Sequence, residues 1–268
     1  MSKAGKTRRI ALINEKGGTC KTTLAVNLGA YYAMYLKKKV LLVDLDPQGH
    51  VGKTLGFDVR RLDKTSMDLL YDPHTGIADA AKQSRIESLD VVCANKSLSE
   101  FPVVAARHKD REYKLTRKLD NAHAYDMIIF DTPPSIGLVN LNVMLAANEI
   151  VVPVNITYLA LDGCAEILDT VEQVKIDYKR DKLGVTMIVP TLYRNTNLAK
   201  EILDKLETYF PRQISRTVLG FNVKIDEAQS HGKTIWEYAP SSPGARMLEA
   251  IALEVDSRDP GRPRKRSV

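Results

Sequence analysis

Cysteine is scarce: Cys20, Cys93 and Cys164 are the only three in 268 residues, and no two of them form a C-x-x-C pair. The five histidines, His50, His74, His108, His123 and His231, show no ligand spacing either. Neither a zinc site nor an iron–sulfur cluster is suggested, and the core must form without disulfides. Cys93 and Cys164 read as small buried hydrophobes. Also missing is any apolar run near the roughly 20 residues that span a bilayer. Met1 to Arg9 is basic but lacks the hydrophobic stretch of a signal peptide. These absences predict a cytoplasmic chain with no membrane partner. There is no internal repeat, and low complexity is confined to an Arg- and Pro-rich tail from Ser257 to Val268.

What is present suffices for one large domain, since 44% of the residues are hydrophobic. The net charge of +6 is unevenly placed. Lys3, Lys6, Arg8 and Arg9 carry four of the positive charges, and Arg258 to Arg266 carry a further net four, so residues 10 to 256 are left at −2. The basic balance therefore describes a tail at 1–9 and a disordered tail at 257–268, and does not by itself give the 10–256 domain a basic face.

Apolar runs at Ile10–Ile13, Val40–Val43, Val91–Cys93, Met127–Phe130, Ile150–Val154 and Val185–Val189 alternate with amphipathic stretches at Lys21–Leu36, Leu138–Ala147, Ala165–Tyr178 and Leu198–Phe210. Such alternation predicts an α/β fold: a doubly wound, mostly parallel sheet with helices on both faces. The runs before Asp44 and Asp131 are continuously apolar, as expected of central strands. Their carboxylates should emerge at the C-terminal edge of the sheet, where open α/β sheets bind ligands, and there Asp44, Asp46 and Asp131 can meet. Asp58 to Asn121 is the least regular stretch.

Asn14-Glu15-Lys16-Gly17-Gly18-Thr19-Cys20-Lys21-Thr22-Thr23 lies between the first apolar run and an amphipathic helix. A glycine-rich loop in that setting cradles phosphate with its amides and the helix N-terminus, while a lysine neutralises charge and a hydroxyl meets Mg2+. The ordinary G-x-x-x-x-G-K-[ST] pattern would place glycine at positions 15 and 20; here stand Glu15 and Cys20, with Lys16 before the paired Gly17-Gly18.

This arrangement resembles the deviant Walker A motif, K-G-G-x-x-K-T, of the ParA and MinD family of P-loop ATPases. The resemblance implies ATP and Mg2+ as cofactors and a slow ATPase. It also implies an ATP-bound homodimer in which Lys16 crosses to the phosphates of the partner's ATP. Residues 16 to 23 are the expected nucleotide contacts, with Lys16 and Lys21 acting on phosphate and Thr22 on the metal. Asp131-Thr132-Pro133-Pro134 resembles the family's Walker B segment and implies that Asp131 holds Mg2+, through water. Asp44-Leu45-Asp46-Pro47-Gln48-Gly49 is similar to switch I, with Asp46 orienting the attacking water and Asp44 supporting the metal shell.

The likeness continues through Leu219–Ala228, Ser230–Ile235 and Ala239–Ala245, which look like chromosomal, Soj-type ParA sequences. In such relatives, basic residues matching Arg194 and Lys224 bind DNA without sequence preference. Lys224 stands where arginine is usual and loses the planar fork, so Lys233 or the tails are expected to share the contact. A ParB-like stimulating protein, nucleoid association and a role in chromosome or plasmid segregation follow from the same resemblance. Positioning of another cargo is the alternative. A MinD-like membrane ATPase is disfavoured because Arg258 to Arg266 contains prolines and almost no apolar face. A metabolic synthetase is disfavoured by the joint presence of Lys16-Gly17-Gly18 and D-P-Q-G. Cys20 is the anomaly: a left-handed backbone there would strain any side chain, and a thiol beside Lys21 at a helix start is a candidate for reactivity, with tolerated substitution the favoured reading.

Overall fold

The computed structural model describes residues 7–119 and 122–260. Eight strands form one sheet: β1 (Arg8–Leu12), β2 (Val40–Asp44), β3 (Lys82–Gln83), β4 (Leu89–Val92), β5 (Met127–Asp131), β6 (Glu149–Asn155), β7 (Gly184–Tyr193) and β8 (Leu219–Gly220). Their order is β3-β4-β2-β5-β1-β6-β7-β8, and only the β3–β4 edge is antiparallel. The helices are α1 (Lys21–Met34), α2 (His50–Thr54), α3 (Ser66–Tyr71), α4 (Ile77–Ala80), α5 (Phe101–Val104), α6 (Lys114–Lys118), α7 (Leu138–Ala146), α8 (Ala160–Tyr178), α9 (Asn197–Tyr209), α10 (Val223–Ser230), α11 (Ile235–Tyr238) and α12 (Pro243–Ser257).

Side-chain alternation along the strands divides the core into two layers. Leu41, Val43, Ile128 and Phe130 pack on one face with α7 and α8, while Val40, Leu42, Met127 and Ile129 pack on the other with α1 and α12. Every residue of β2 and β5 is buried, which explains their continuous apolar sequence. Cys93 and Cys164 are fully buried in these layers, as expected. Asp58 to Asn121 supplies the short helices α3 to α6, the edge strand β3 and its neighbour β4.

Both domain ends lie further out than the charge pattern suggested. Arg8 and Arg9, expected in the N-terminal tail, are the first residues of β1. The buried Arg8 fork meets Glu149 of β6 through two bonds of 2.6 Å and donates to the Val255 carbonyl of α12 at 2.7 Å. A guanidinium so paired can be buried where an unpaired one could not. At the other end, α12 runs to Ser257, and Arg258 pairs with Glu254 at 2.6 Å while donating to the carbonyls of Gln213 and Ile214. Residues 1–6 and 261–268 lie outside the described residues, and the two expected tails fall mainly there. Among the described residues, no helix is long and apolar enough to cross a membrane.

Candidate nucleotide site

Parallel pairing aligns Leu12 of β1 and Asp44 of β2 with Asp131 of β5, so the loops that follow these three strands converge at one edge. The loop after β1 is shaped by Asn14. Its amide donates to the Pro153 carbonyl at 2.8 Å, and its Oδ1 accepts the Lys16 N–H at 2.9 Å. Gly18 takes a φ of +69° and Cys20 a φ of 66°. The left-handed conformation suspected at Cys20 is therefore present, and for a residue with a Cβ it costs on the order of 1 kcal/mol. Burial pushes the Cys20 thiol up to about 11. That opposes the reactive-thiol expectation: the neutral form dominates near neutral pH.

Lys21 is buried at the first turn of α1, with Nζ on the carbonyls of Asn14 at 2.9 Å and Lys16 at 3.0 Å. Burial lowers its pKa, while Asp131 and Asp46 act in the opposite direction. Thr22 Oγ1 donates to Asp131 Oδ2 at 2.6 Å, and the buried Oδ1 of Asp131 has no hydrogen-bond partner among the described residues. Burial pushes Asp131 up to about 7, an effect that the Thr22 hydrogen bond partly offsets. Asp44 is raised well above the usual carboxylate range by burial and then by Asp131. Its two oxygens accept the N–H groups of Asp46 and Val51, each at 3.1 Å, so it anchors the loop that carries Asp46. Two neighbouring buried carboxyls, one with an unpartnered oxygen, and a hydroxyl form a hard-oxygen donor set suited to Mg2+.

Beside this set lies a cavity of about 700 Å3 lined by residues 17 to 23, Asp46, Leu192, Asp226 and Gln229. A volume of that size accommodates a nucleotide. Gly17, Gly18, Thr19, Cys20, Lys21, Thr22 and Thr23 thus share one wall, as expected from their sequence. Lys16 is placed differently. Its Nζ donates to the Leu159 carbonyl at the start of α8 at 3.0 Å and would lie 3.6 Å from a Cβ on Gly163. Within one chain, therefore, Lys16 points to α8 and is not part of the cavity wall.

Arg194, Lys224 and Lys233 are exposed. The Arg194 guanidinium lies 4.9 Å from the Phe221 ring centroid. Lys224 pairs with Glu227 at 2.7 Å, and Glu227 also accepts the Tyr238 hydroxyl at 3.0 Å. Hydrogen bonding to Glu227 raises the Lys224 pKa, but the same carboxylate offsets its charge. Three further residues gave no clear sequence signal. Gln229 donates to Thr23 Oγ1 at 2.8 Å, and Asn27 receives the Ile235 N–H at 2.9 Å and the Trp236 indole at 2.8 Å, tying α10 and α11 to α1. Asn14 could have been suspected as a polar residue at a strand end, whereas the partners of Asn27 and Gln229 lie some two hundred residues away and leave no local pattern.

A family model described as an AAA domain matches residues 7–185. The sporulation initiation inhibitor protein Soj of Bacillus subtilis is 38% identical over 247 residues, covering 92% of this chain and 97% of that protein. The cell division protein PomZ of Myxococcus xanthus is 35% identical, covering 91% of this chain and 76% of that protein. The structure of cobyrinic acid a,c-diamide synthase from Mycobacterium smegmatis with a bound ATP analogue and magnesium superposes with a TM-score of 0.80 at 27% identity, covering 96% of this chain and 98% of that one. With the deviant phosphate loop, the doubly wound sheet and these likenesses together, the chain belongs to the Soj/ParA family of P-loop ATPases.

Proposed function

We propose that this chain is a partition ATPase that binds ATP with Mg2+, pairs with a second copy as an ATP sandwich and holds nonspecific DNA until a ParB-like partner stimulates hydrolysis. The observation that carries the reading is the 2.6 Å bond from Thr22 to Asp131 beside the unpartnered Asp131 oxygen. It supports a metal-binding role for this pair, which stands next to Lys21 and the loop of Asp46.

Loop amides and the α1 N-terminus bind the phosphates, and Lys21 offsets their negative charge. Thr22, with Asp131 behind it, would hold Mg2+, which when bound supplies positive charge at the phosphate oxygens. Asp46, positioned by the hold of Asp44 on its loop, orients the attacking water. Lys16 releases the Leu159 carbonyl and reaches the partner's phosphates, so turnover depends on a second copy. Arg194, Lys224 and Lys233 contact DNA phosphates, placing the dimer on the nucleoid.

Co-sedimentation with DNA of arbitrary sequence in ATP and in ADP tests this reading, and retention in ATP alone is expected. Light scattering of Lys16→Ala should find a monomer with ATP present. Equal DNA retention in both nucleotides would refute the ATP-dimer reading. A second reading, in which the same cycle positions a cargo other than DNA-bound ParB, is favoured by the likeness to the cell division protein PomZ. Identification of the protein that stimulates hydrolysis separates the two.

A further inference from the structure

One guanidinium joins three elements that are far apart in sequence. Arg85 lies in the turn between β3 and β4. Its Nε and Nη2 meet the two carboxylate oxygens of Glu237 in α11 at 2.5 and 2.9 Å, its Nη1 donates to the Leu55 carbonyl at 2.5 Å, and its Nη2 also donates to the Gly232 carbonyl at 2.7 Å. Leu55 ends α2, the helix that follows the Asp46 loop and whose Val51 N–H is held by Asp44. Gly232 lies in the turn between α10 and α11, directly before Lys233.

The chain is shaped for this contact. Gly56 and Gly232 adopt φ values of +82° and +63°, and a Cβ on Gly56 would stand 3.0 Å from Arg85 Nη1. Burial raises the Glu237 carboxyl, but hydrogen bonds from Arg85 and Thr234 outweigh it and hold the pKa below the usual range. A forked, charge-assisted pair of this kind is stronger and more directional than a lysine contact. The same α10–α11 segment is fastened to α1 through Gln229 to Thr23 and through Trp236 to Asn27. It is therefore held by the phosphate-loop helix on one side and by α2 on the other.

We propose that Arg85 is a positioning residue that fixes the end of α2 against the α10–α11 segment, so that the placement of the Asp46 loop and the presentation of Lys224 and Lys233 change together. The inference rests on the reading of Asp46 as the water-orienting residue and of the basic surface as the DNA contact. Trp236, the single tryptophan of the chain, sits in the coupled segment and reports on it.

The test compares the full-length protein with Arg85→Ala, Arg85→Lys and Glu237→Gln. It reads ATP binding by calorimetry, folding by thermal melting, the change in tryptophan emission on adding ATP and Mg2+, kcat and KM for ATP, and DNA retention in ATP against ADP. In the wild type, ATP is expected to shift Trp236 emission. In Arg85→Ala, ATP should still bind with KM little changed, while the emission shift is lost, kcat falls and the ATP-to-ADP ratio of DNA retention drops toward one. Arg85→Lys should not restore these, since an ammonium lacks the fork that reaches Glu237 and the two carbonyls together. If Arg85→Ala does not fold, Glu237→Gln decides, with a reduced emission shift expected. An unaltered emission shift and kcat in the folded variant that decides, or no emission response in the wild type, would overturn the proposal. If the wild type does not bind DNA but its emission shift requires Arg85, the coupling stands and the DNA reading falls.

Discussion

Lys21 and Asp131 are buried and Thr22 is half-buried, each bonded to one of the others or to loop carbonyls, whereas Arg194, Lys224 and Lys233 face solvent, with Lys224 partly neutralised by Glu227. Under the function proposed above both regions meet a phosphate-bearing ligand, yet their environments differ. In the first, low dielectric strengthens each interaction and main-chain geometry fixes each group, so removing one group leaves its neighbours uncompensated. In the second, water and salt screen every charge, and contacts contribute in small, roughly additive steps.

Four variants probe that difference, beginning with the largest expected effect. Lys21→Ala should weaken ATP binding by on the order of a hundredfold or more, because truncating a buried, hydrogen-bonded charge costs about 3 kcal/mol, as calorimetry would register. Asp46→Ala should bind ATP and persist as an ATP-bound dimer in light scattering while phosphate release is lost; normal turnover would refute the role given to Asp46. Arg194→Ala combined with Lys224→Ala should weaken DNA binding in steps and make the dependence of log K on log salt shallower by about one unit per lost contact. An unchanged slope would move the contact to the chain ends. The complementary truncation should begin at residue 261, since Arg258 is part of the fold. Smallest is Cys20→Gly, which should relieve the left-handed strain and raise stability by about 1 kcal/mol, or roughly 2–4 °C in Tm, without loss of ATP binding. In the unsubstituted protein, alkylation of Cys20 should be slow at pH 8 and rise about tenfold per pH unit until the thiol titrates near 11.

The buried edge was largely legible in the amino-acid sequence and the exposed surface much less so. Val40–Asp44 and Met127–Asp131 betray themselves because a strand covered on both faces has no polar alternation. The phosphate loop is a contiguous segment with its chemistry in register. By contrast, β3 and β8 are two residues long and carry no periodic signal. The helix at Pro243–Ser257 was not assigned, although Ser242 caps it and Pro243 opens it. Arg8 reads as tail charge until Glu149, 141 residues later, is known to face it. Arg85 is hidden in the same way, since its role is fixed by carbonyls and a carboxylate that only the tertiary fold brings together.

The adjacent ends of β2 and β5 have a consequence for how long a molecule lasts. Asp44 and Asp131 are held side by side in the interior, and burial lifts both above their ordinary titration range. Ionising both is therefore costly, and under the function proposed above a cation arriving with its nucleotide would offset that cost. A ligand bound only by the native state adds about 2.7 kcal/mol at a hundred times its Kd. Since proteases act on the unfolded fraction, the supply of Mg-nucleotide should govern the half-life of the protein in the cell as well as its catalytic cycle.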